Sequence, residues 1–187
     1  MSDIKAYFNS IPPFTRYFTV TAFTMSLLMT YKMLNPYHMV LVYDKVFYSA
    51  QIWRLFSTFL FAGTFGPSFL FTMIMMYFTL RRIEDHFKNK AAEFMTCILF
   101  CALCIMAYSA IYGNSMVLHK SFIFAMCYVI CKLDPETMVS IWGFPVRSAM
   151  LPWVLLGLNV LQGADPIGDL IGIAAGHTYI YIKMVLP

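Results

Sequence analysis

Apolar stretches of 14 to 22 residues recur along this chain, parted by short polar breaks such as Asn35-Pro36, Gly113-Asn114 and Gly163-Ala164-Asp165-Pro166. A chain of 187 residues cannot bury that many such runs inside one water-facing domain. Hydrophobic residues make up 60% and charged residues 12%, against roughly 45–50% and roughly 25% in ordinary soluble domains. Mean hydropathy is +0.70. Disordered chains show the reverse balance, and the same arithmetic nearly rules out a soluble enzyme of this size. The solvent implied is lipid. The net charge is +4 and is not gathered into a basic block, so no nucleic acid is expected as a partner.

A helix needs about 20 apolar residues to cross a bilayer core. The first span is expected over residues 15–34 and the second over 67–80. Residues 55–66 read as a segment packed on or in the membrane, because Gly63, Gly66 and Pro67 interrupt a single helix there. The third span is expected over 91–112, the fourth over 116–131, the fifth over 149–162 and the sixth over 167–184. Residues 81–90 read as a charged turn and 132–148 as a polar connection. No repeat, low-complexity tract or soluble domain interrupts them, so residues 1–187 read as one all-α membrane domain of six transmembrane helices. Residues 2–11, with Ile4, Tyr7, Phe8 and Ile11 on one side, read as an interfacial helix that Pro12-Pro13 stops. Asp3 and the lack of a small-residue cleavage site argue against a cleaved signal peptide.

Six spans put both termini on one side. With the N-terminus inside, Lys5, Arg16, Arg81, Arg82, Lys88, Lys90, Lys132, Arg147 and Lys183 face the cytosol, and Lys32, Lys45, Arg54 and Lys120 face away. Nine against four predicts an N-in, C-in topology. The second and fifth spans hold only 14 apolar residues each, about 21 Å of helix against about 30 Å of hydrocarbon. A thinned bilayer is expected beside both, most on the far side.

Cys97, Cys101 and Cys104 recur at i, i+4 and i+7 on one helix face. Cys101 and Cys104 form a CxxC, a spacing open to redox or metal chemistry. With no second pair or histidine nearby, small side chains on a packing face are the plainer reading. Trp53-Arg54 closes the first loop. Tryptophan suits the interfacial belt and arginine snorkels to headgroups. Gly172 and Gly176 form a GxxxG in the last span, the spacing that lets two helix backbones approach. Its expected neighbour is the span carrying Ser121 and Ala125.

In this order, on six spans, Trp53-Arg54 and Gly172/Gly176 resemble the rhomboid superfamily. The finer resemblance is to the Derlin family. It rests on Ile11-Pro12-Pro13-Phe14-Thr15-Arg16, Gln51-Ile52-Trp53-Arg54, Leu151-Pro152-Trp153-Val154-Leu155, and Asp169-Leu170-Ile171-Gly172 through Gly176-His177. It covers essentially the whole chain and implies a rhomboid-like fold.

Rhomboid proteases use a serine from a GxSG at the start of the fourth helix. Their histidine stands three residues before the first glycine of the sixth-helix GxxxG. Here the first stretch reads Gly113-Asn114-Ser115-Met116, and Asp169 stands where the histidine belongs. The resemblance therefore implies a pseudoprotease with degenerate dyad positions Ser115 and Asp169 and no catalytic residue. His177 lies eight residues beyond Asp169, about 12 Å along a helix, whereas a base must come within roughly 2.6–3.2 Å of its hydroxyl. It reads as a packing or hydrogen-bonding residue. His119 shares a helical face with Ser115 and is a minor alternative base. Asp169 reads as settled at the positive end of its helix; the other reading is that it helps hydrate a cavity.

What the resemblance implies is a non-catalytic component of endoplasmic-reticulum-associated degradation, in that membrane. It would help misfolded polypeptides pass from the lumen to the cytosol. The implied partners are those polypeptides, a membrane ubiquitin ligase complex, a cytosolic AAA ATPase and the lipid bilayer, with homo- or hetero-oligomers left open. No metal or organic cofactor is implied. Derlins commonly carry a cytosolic tail with which some recruit the ATPase. The sequence here ends at Pro187, so that contact is expected through a partner or in a longer form of the chain. The rival readings are an active intramembrane serine protease using Ser115 and a substrate receptor or scaffold without a conduit, including one serving import into complex plastids.

Overall fold

The computed structural model describes residues 8, 10–48, 50–112, 117–141 and 144–185. Ser115 and the rest of residues 113–116 lie outside the described residues, as do residues 2–7 of the expected interfacial helix. Among the described residues the chain forms α1 (Pro13–Thr30), α2 (Tyr43–Tyr48), α3 (Trp53–Leu60), α4 (Pro67–His86), α5 (Ala91–Tyr112), α6 (His119–Leu133), α7 (Leu151–Leu161) and α8 (Ile167–Val185). One antiparallel hairpin, β1 (Met138–Ile141) with β2 (Phe144–Arg147), joins α6 to α7.

At the centre stands α6, with twelve of its fifteen residues buried. A helix apolar on every side is a helix with neighbours on every side. Its closest is α8, with α4, α5 and α7 around it and α1 outside against α4. The inward stripe of α4 is Phe69, Thr72, Met76, Thr79 and Ile83, alternating three- and four-residue steps, with Leu80 buried beside Thr79.

The boundary differences from expectation that matter most fall in three places. The first helix ends at Thr30, four residues early, because Lys32 adopts a left-handed backbone (φ 57°). Its N–H reaches the Met29 carbonyl and that of Met33 the Leu28 carbonyl, a closed C-terminal cap. The second helix does not stop at Leu80. Ile83 continues its buried stripe, so α4 runs on to His86 and the expected charged turn shrinks to residues 87–90. The expected polar connection of residues 132–148 contains the hairpin.

The bundle holds polar groups within an apolar core and is apolar outside as well. Thr15, Ser26, Arg54, Thr58, Thr72, Ser109, His119, Ser121, Asn159 and Asp169 are buried, while Leu70, Ile74 and Phe78 of α4 and Met95, Leu99 and Leu103 of α5 line the exterior at four-residue spacing. A water-soluble monomer rarely exposes such continuous apolar stripes. Among the described residues one helix, Ala91–Ile111, qualifies by length and composition to cross a bilayer, with mean hydropathy 2.3.

Pro12 leaves the N-terminus of α1 without a side-chain cap of its own. Glu84 of α4 supplies it from across the bundle. Its carboxylate accepts the N–H of Phe14 at 2.9 Å, the N–H of Thr15 at 2.7 Å and the Thr15 hydroxyl at 2.7 Å. This anion at a helix N-terminus satisfies two orphan donors at once. Glu84→Ala is expected to lower unfolding stability by about 1.5–3 kcal/mol, as charged hydrogen bonds do. Denaturant unfolding in detergent checks it, with exposed Asp85→Ala expected to stay within about 0.5 kcal/mol.

Candidate functional site

Trp53 and Arg54 open α3 and point to opposite environments. Trp53 is exposed, with Ile52 and Phe56 beside it, whereas Arg54 is buried to 1% exposure. The arginine does not snorkel outward as its neighbour in the sequence suggested. Its Nε donates to Gln51 Oε1 at 2.6 Å, and its Nη1 donates to the carbonyls of Tyr37 at 2.6 Å and Val40 at 2.7 Å. The guanidinium also lies 5.4 Å from the Tyr37 ring centre, which Lys45 Nζ approaches to 4.5 Å. Arg54 is therefore the clasp of the first loop. That loop is docked on α5 through the Tyr43 hydroxyl, which meets Ser109 Oγ and the Met106 carbonyl.

Gly172 and Gly176 face α6, as their spacing predicted. A methyl on Gly172 would fall inside 3.0 Å of the Ser121 carbonyl and 2.8 Å from Phe124 Cβ. One on Gly176 would lie 2.9 Å from the Ala125 carbonyl. Polar contacts pin both ends of this seam. Ser121 Oγ donates to the Gly168 carbonyl at 2.6 Å, and the Tyr128 hydroxyl meets His177 Nδ1 at 2.8 Å. His177 is thus the hydrogen-bonding residue its distance from Asp169 implied.

Asp169 lies in the first turn of α8, buried to 1% exposure. Asn159 of α7 donates to its Oδ2 at 2.7 Å. The turn between them explains the meeting. Gly163 takes a left-handed backbone (φ 75°), its N–H reaching Val160 and that of Ala164 reaching Asn159, which closes α7. Asp165 Oδ1 then caps the Ile167 N–H at 3.0 Å and starts α8. His119, the alternative base, points Nδ1 at the Phe59 carbonyl at 2.6 Å, and its buried Nε2 has no partner among the described residues. Ser115 lies outside the described residues. The five cysteines are free thiols, and among the described residues no cluster of three or more His, Cys, Asp or Glu could hold a metal.

Asn159 and Glu84 were not singled out from the sequence, and Gln51 only as part of the stretch ending in Arg54. Each is a polar side chain inside or beside an apolar run, where such groups face the bundle and require a partner.

A cavity of about 790 Å³ opens between α4, the C-terminal half of α6 and the hairpin. Its walls include Phe71, Ile74 and Phe78, and its rim carries Arg82 and Asp134. Arg82 Nη2 donates to the Asp134 carbonyl and to Ser148 Oγ, and His86 Nδ1 meets Asp134 Oδ2 at 3.2 Å. The cavity is an apolar slot with a charged mouth.

Comparison with known proteins decides what kind of bundle this is. The profile of the Der1-like family matches residues 11–187. The chain belongs to the Der1-like family, the Derlins. It is 32% identical to Derlin-1 of Oryza sativa subsp. japonica over 190 residues, covering all of this chain and 78% of that protein. It is 30% identical to Derlin-2.1 of Arabidopsis thaliana, covering 98% of this chain and 80% of that one. To the probable derlin-1 homolog of Dictyostelium discoideum it is 27% identical. As a Derlin it is a membrane protein, in keeping with its apolar exterior.

The glycine geometry ranks substitutions in this Derlin. Gly172→Ala should cost most, Gly176→Ala less, and Gly157→Ala nothing, since no atom lies within 4 Å of a methyl at Gly157. Leucine at 172 or 176 should cost about 1–3 kcal/mol or more by overpacking. Thermal unfolding in detergent gives the order; equal melting of the Gly172 and Gly157 variants would refute the seam. Arg54→Lys should destabilise by about 1.5–3 kcal/mol, because one ammonium cannot reach three acceptors in a fork geometry. Faster proteolysis within residues 35–52 is the accompanying readout.

Proposed function

We propose that the chain is a non-catalytic Derlin of the endoplasmic reticulum membrane that helps misfolded polypeptides pass from lumen to cytosol for degradation. The observation that carries this reading is the slot between α4, α6 and the hairpin. It is large, walled by apolar side chains and rimmed by charge. With the basic residues assigned to the cytosol, α1, α4, α5, α6, α7 and α8 are the six crossings. Both termini are then cytosolic and the slot opens at the cytosolic end. A membrane ubiquitin ligase complex and a cytosolic AAA ATPase are the partners that would tag and pull the polypeptide.

A thinner bilayer lowers the cost of moving polar chain across it. The second crossing is not short as a helix, since α4 has 20 residues. The eleven residues of α7 rise only about 16 Å, and its Trp153, Val160 and Leu161 face outward. Because α6 is buried at twelve of its fifteen residues and ringed by other helices, thinning belongs beside α7.

Three outcomes are expected. A glycosylation acceptor inserted after Asn35 is modified and one after Lys88 is not; the reverse would overturn the topology. Density of the bilayer in nanodiscs narrows beside α7, and a uniform thickness there would remove the thinning. Ser115→Ala leaves degradation of a misfolded lumenal reporter unchanged. Loss of that activity in a folded variant, with cleavage of a membrane substrate by purified protein, would establish the protease instead.

A further inference from the structure

The hairpin between α6 and α7 has two unequal edges. The Ser148 N–H donates to the Thr137 carbonyl at 2.9 Å. Together with the register Met138 opposite Arg147, that bond sets the phase of the ladder. Val139 and Val146 exchange hydrogen bonds, while Met138 and Ser140 turn their N–H and C=O away from β2. Opposite Ser140 stands Pro145. Its ring nitrogen lies on the outer edge of β2 and carries no hydrogen. With Arg147 two residues on, β2 shows the two devices that keep an edge from pairing, proline and charge. β1 reads Met-Val-Ser-Ile and has neither. Among the described residues, Met138 and Ser140 form no backbone hydrogen bond outside the hairpin.

The free edge has somewhere to pair. Thr137, Met138, Val139 and Ser140 all line the 790 Å³ cavity. Successive side chains of a strand point to opposite faces, so a strand offering a face would contribute every second residue. Three successive residues of β1, with Thr137 leading into them, are what a strand that turns its edge to the cavity contributes. On the far side stand Phe71, Ile74 and Phe78 of α4. The rim holds Arg81 and Arg82 against Asp85 and Asp134, so charge favours neither sign of occupant. An acyl chain could wet the apolar wall but has nothing to offer two N–H and two C=O groups.

We infer that the free edge of β1 is a docking strand for an extended, uncharged polypeptide segment whose apolar side chains seat against α4. Four residues of β1 span about 13 Å, so the segment is short and its recognition is mainly by backbone. Such an edge fits many sequences, as a handler of misfolded chains requires. Docking of this kind rests on the retrotranslocation reading above and names where that site holds its substrate.

The probe is a fluorescent ten-residue peptide of alternating Val and Thr with blocked ends, titrated onto the protein in phosphatidylcholine nanodiscs. Two further peptides carry N-methyl groups on the odd or on the even residues. A strand uses only alternate N–H groups toward one partner, so at least one N-methylated peptide should bind about tenfold or more weakly. Ser140→Pro, which closes the β1 edge as Pro145 closes β2 and sits where the hairpin needs no donor, should weaken the unmodified peptide equally. Where Ser140→Pro lowers the melting temperature, the peptides on wild-type protein decide alone. Full binding by both N-methylated peptides makes the slot a site for any apolar solute and overturns the pairing, as does full binding to a folded Ser140→Pro. Reporter degradation is followed alongside. A wild-type protein without effect on the reporter removes the retrotranslocation reading whatever the peptides do. Peptides that ignore the edge remove the docking strand and leave that reading standing.

Discussion

The close approach of α8 to α6 is the contact on which the bundle depends. In lipid no hydrophobic force draws two helices together, because the tails are as apolar as leucine. What remains is dispersion at short range and hydrogen bonding. Gly172 and Gly176 supply the first by letting the α8 backbone lie on the carbonyls of Ser121 and Ala125. Ser121 with Gly168, and Tyr128 with His177, supply the second at the two ends. Once α8 lies there, α6 is covered on one side and the other helices can close round it, which is why its polar His119 and Ser121 are as buried as its Val129.

The same solvent argument orders the rest of the interior. Polar groups that water would have served must find partners within the protein. Glu84 closes the start of α1, Arg54 gathers the first loop, Asn159 joins α7 to Asp169, and Arg82 ties α4 to Ser148 at the start of α7. Each of these contacts joins segments well apart in sequence, except Asn159 and Asp169, which a tight turn brings together. They act as the joints of the bundle, set within an apolar core, while further apolar side chains cover its outside.

How much of this was legible in the sequence follows from which signal carried it. The Gly172/Gly176 seam was readable because small residues at Ser121 and Ala125 repeat the same four-residue step. The end of α4 was not, because apolarity stops at Leu80 while the buried stripe goes on through Ile83 to Phe87; period, and not composition, held the information. The early stop of α1 had no such trace, since a left-handed lysine leaves none. The hairpin did leave one: two short β-prone runs, Met138–Ile141 and Phe144–Arg147, separated by two residues that include Gly143. That is the spacing of a tight turn, passed over because the flanking Asp134-Pro135-Glu136 reads as loop. Arg54 was found for its position and misread for its direction. Neighbouring residues on a helix point about 100° apart, so Trp53 can belong to the lipid surface while Arg54 belongs to the loop behind it.

That division of labour bears on how an apolar slot with a charged rim can exist in such a bundle at all. A charged rim facing lipid would be costly, and an apolar wall facing water would collapse. Here the wall lies on α4, whose Ile74 and Phe78 are already part of the apolar exterior. The rim lies on the last two turns of α4, where the apolar stretch has ended but the helix has not. The unread extension of α4 is therefore what makes the slot. It carries Arg82 and His86 up beside Asp134 and the hairpin, and holds one edge of β1 apart from the helix it would otherwise rest on. A turn at Leu80, as composition alone suggested, would leave β1 facing open solvent and the slot without a second wall.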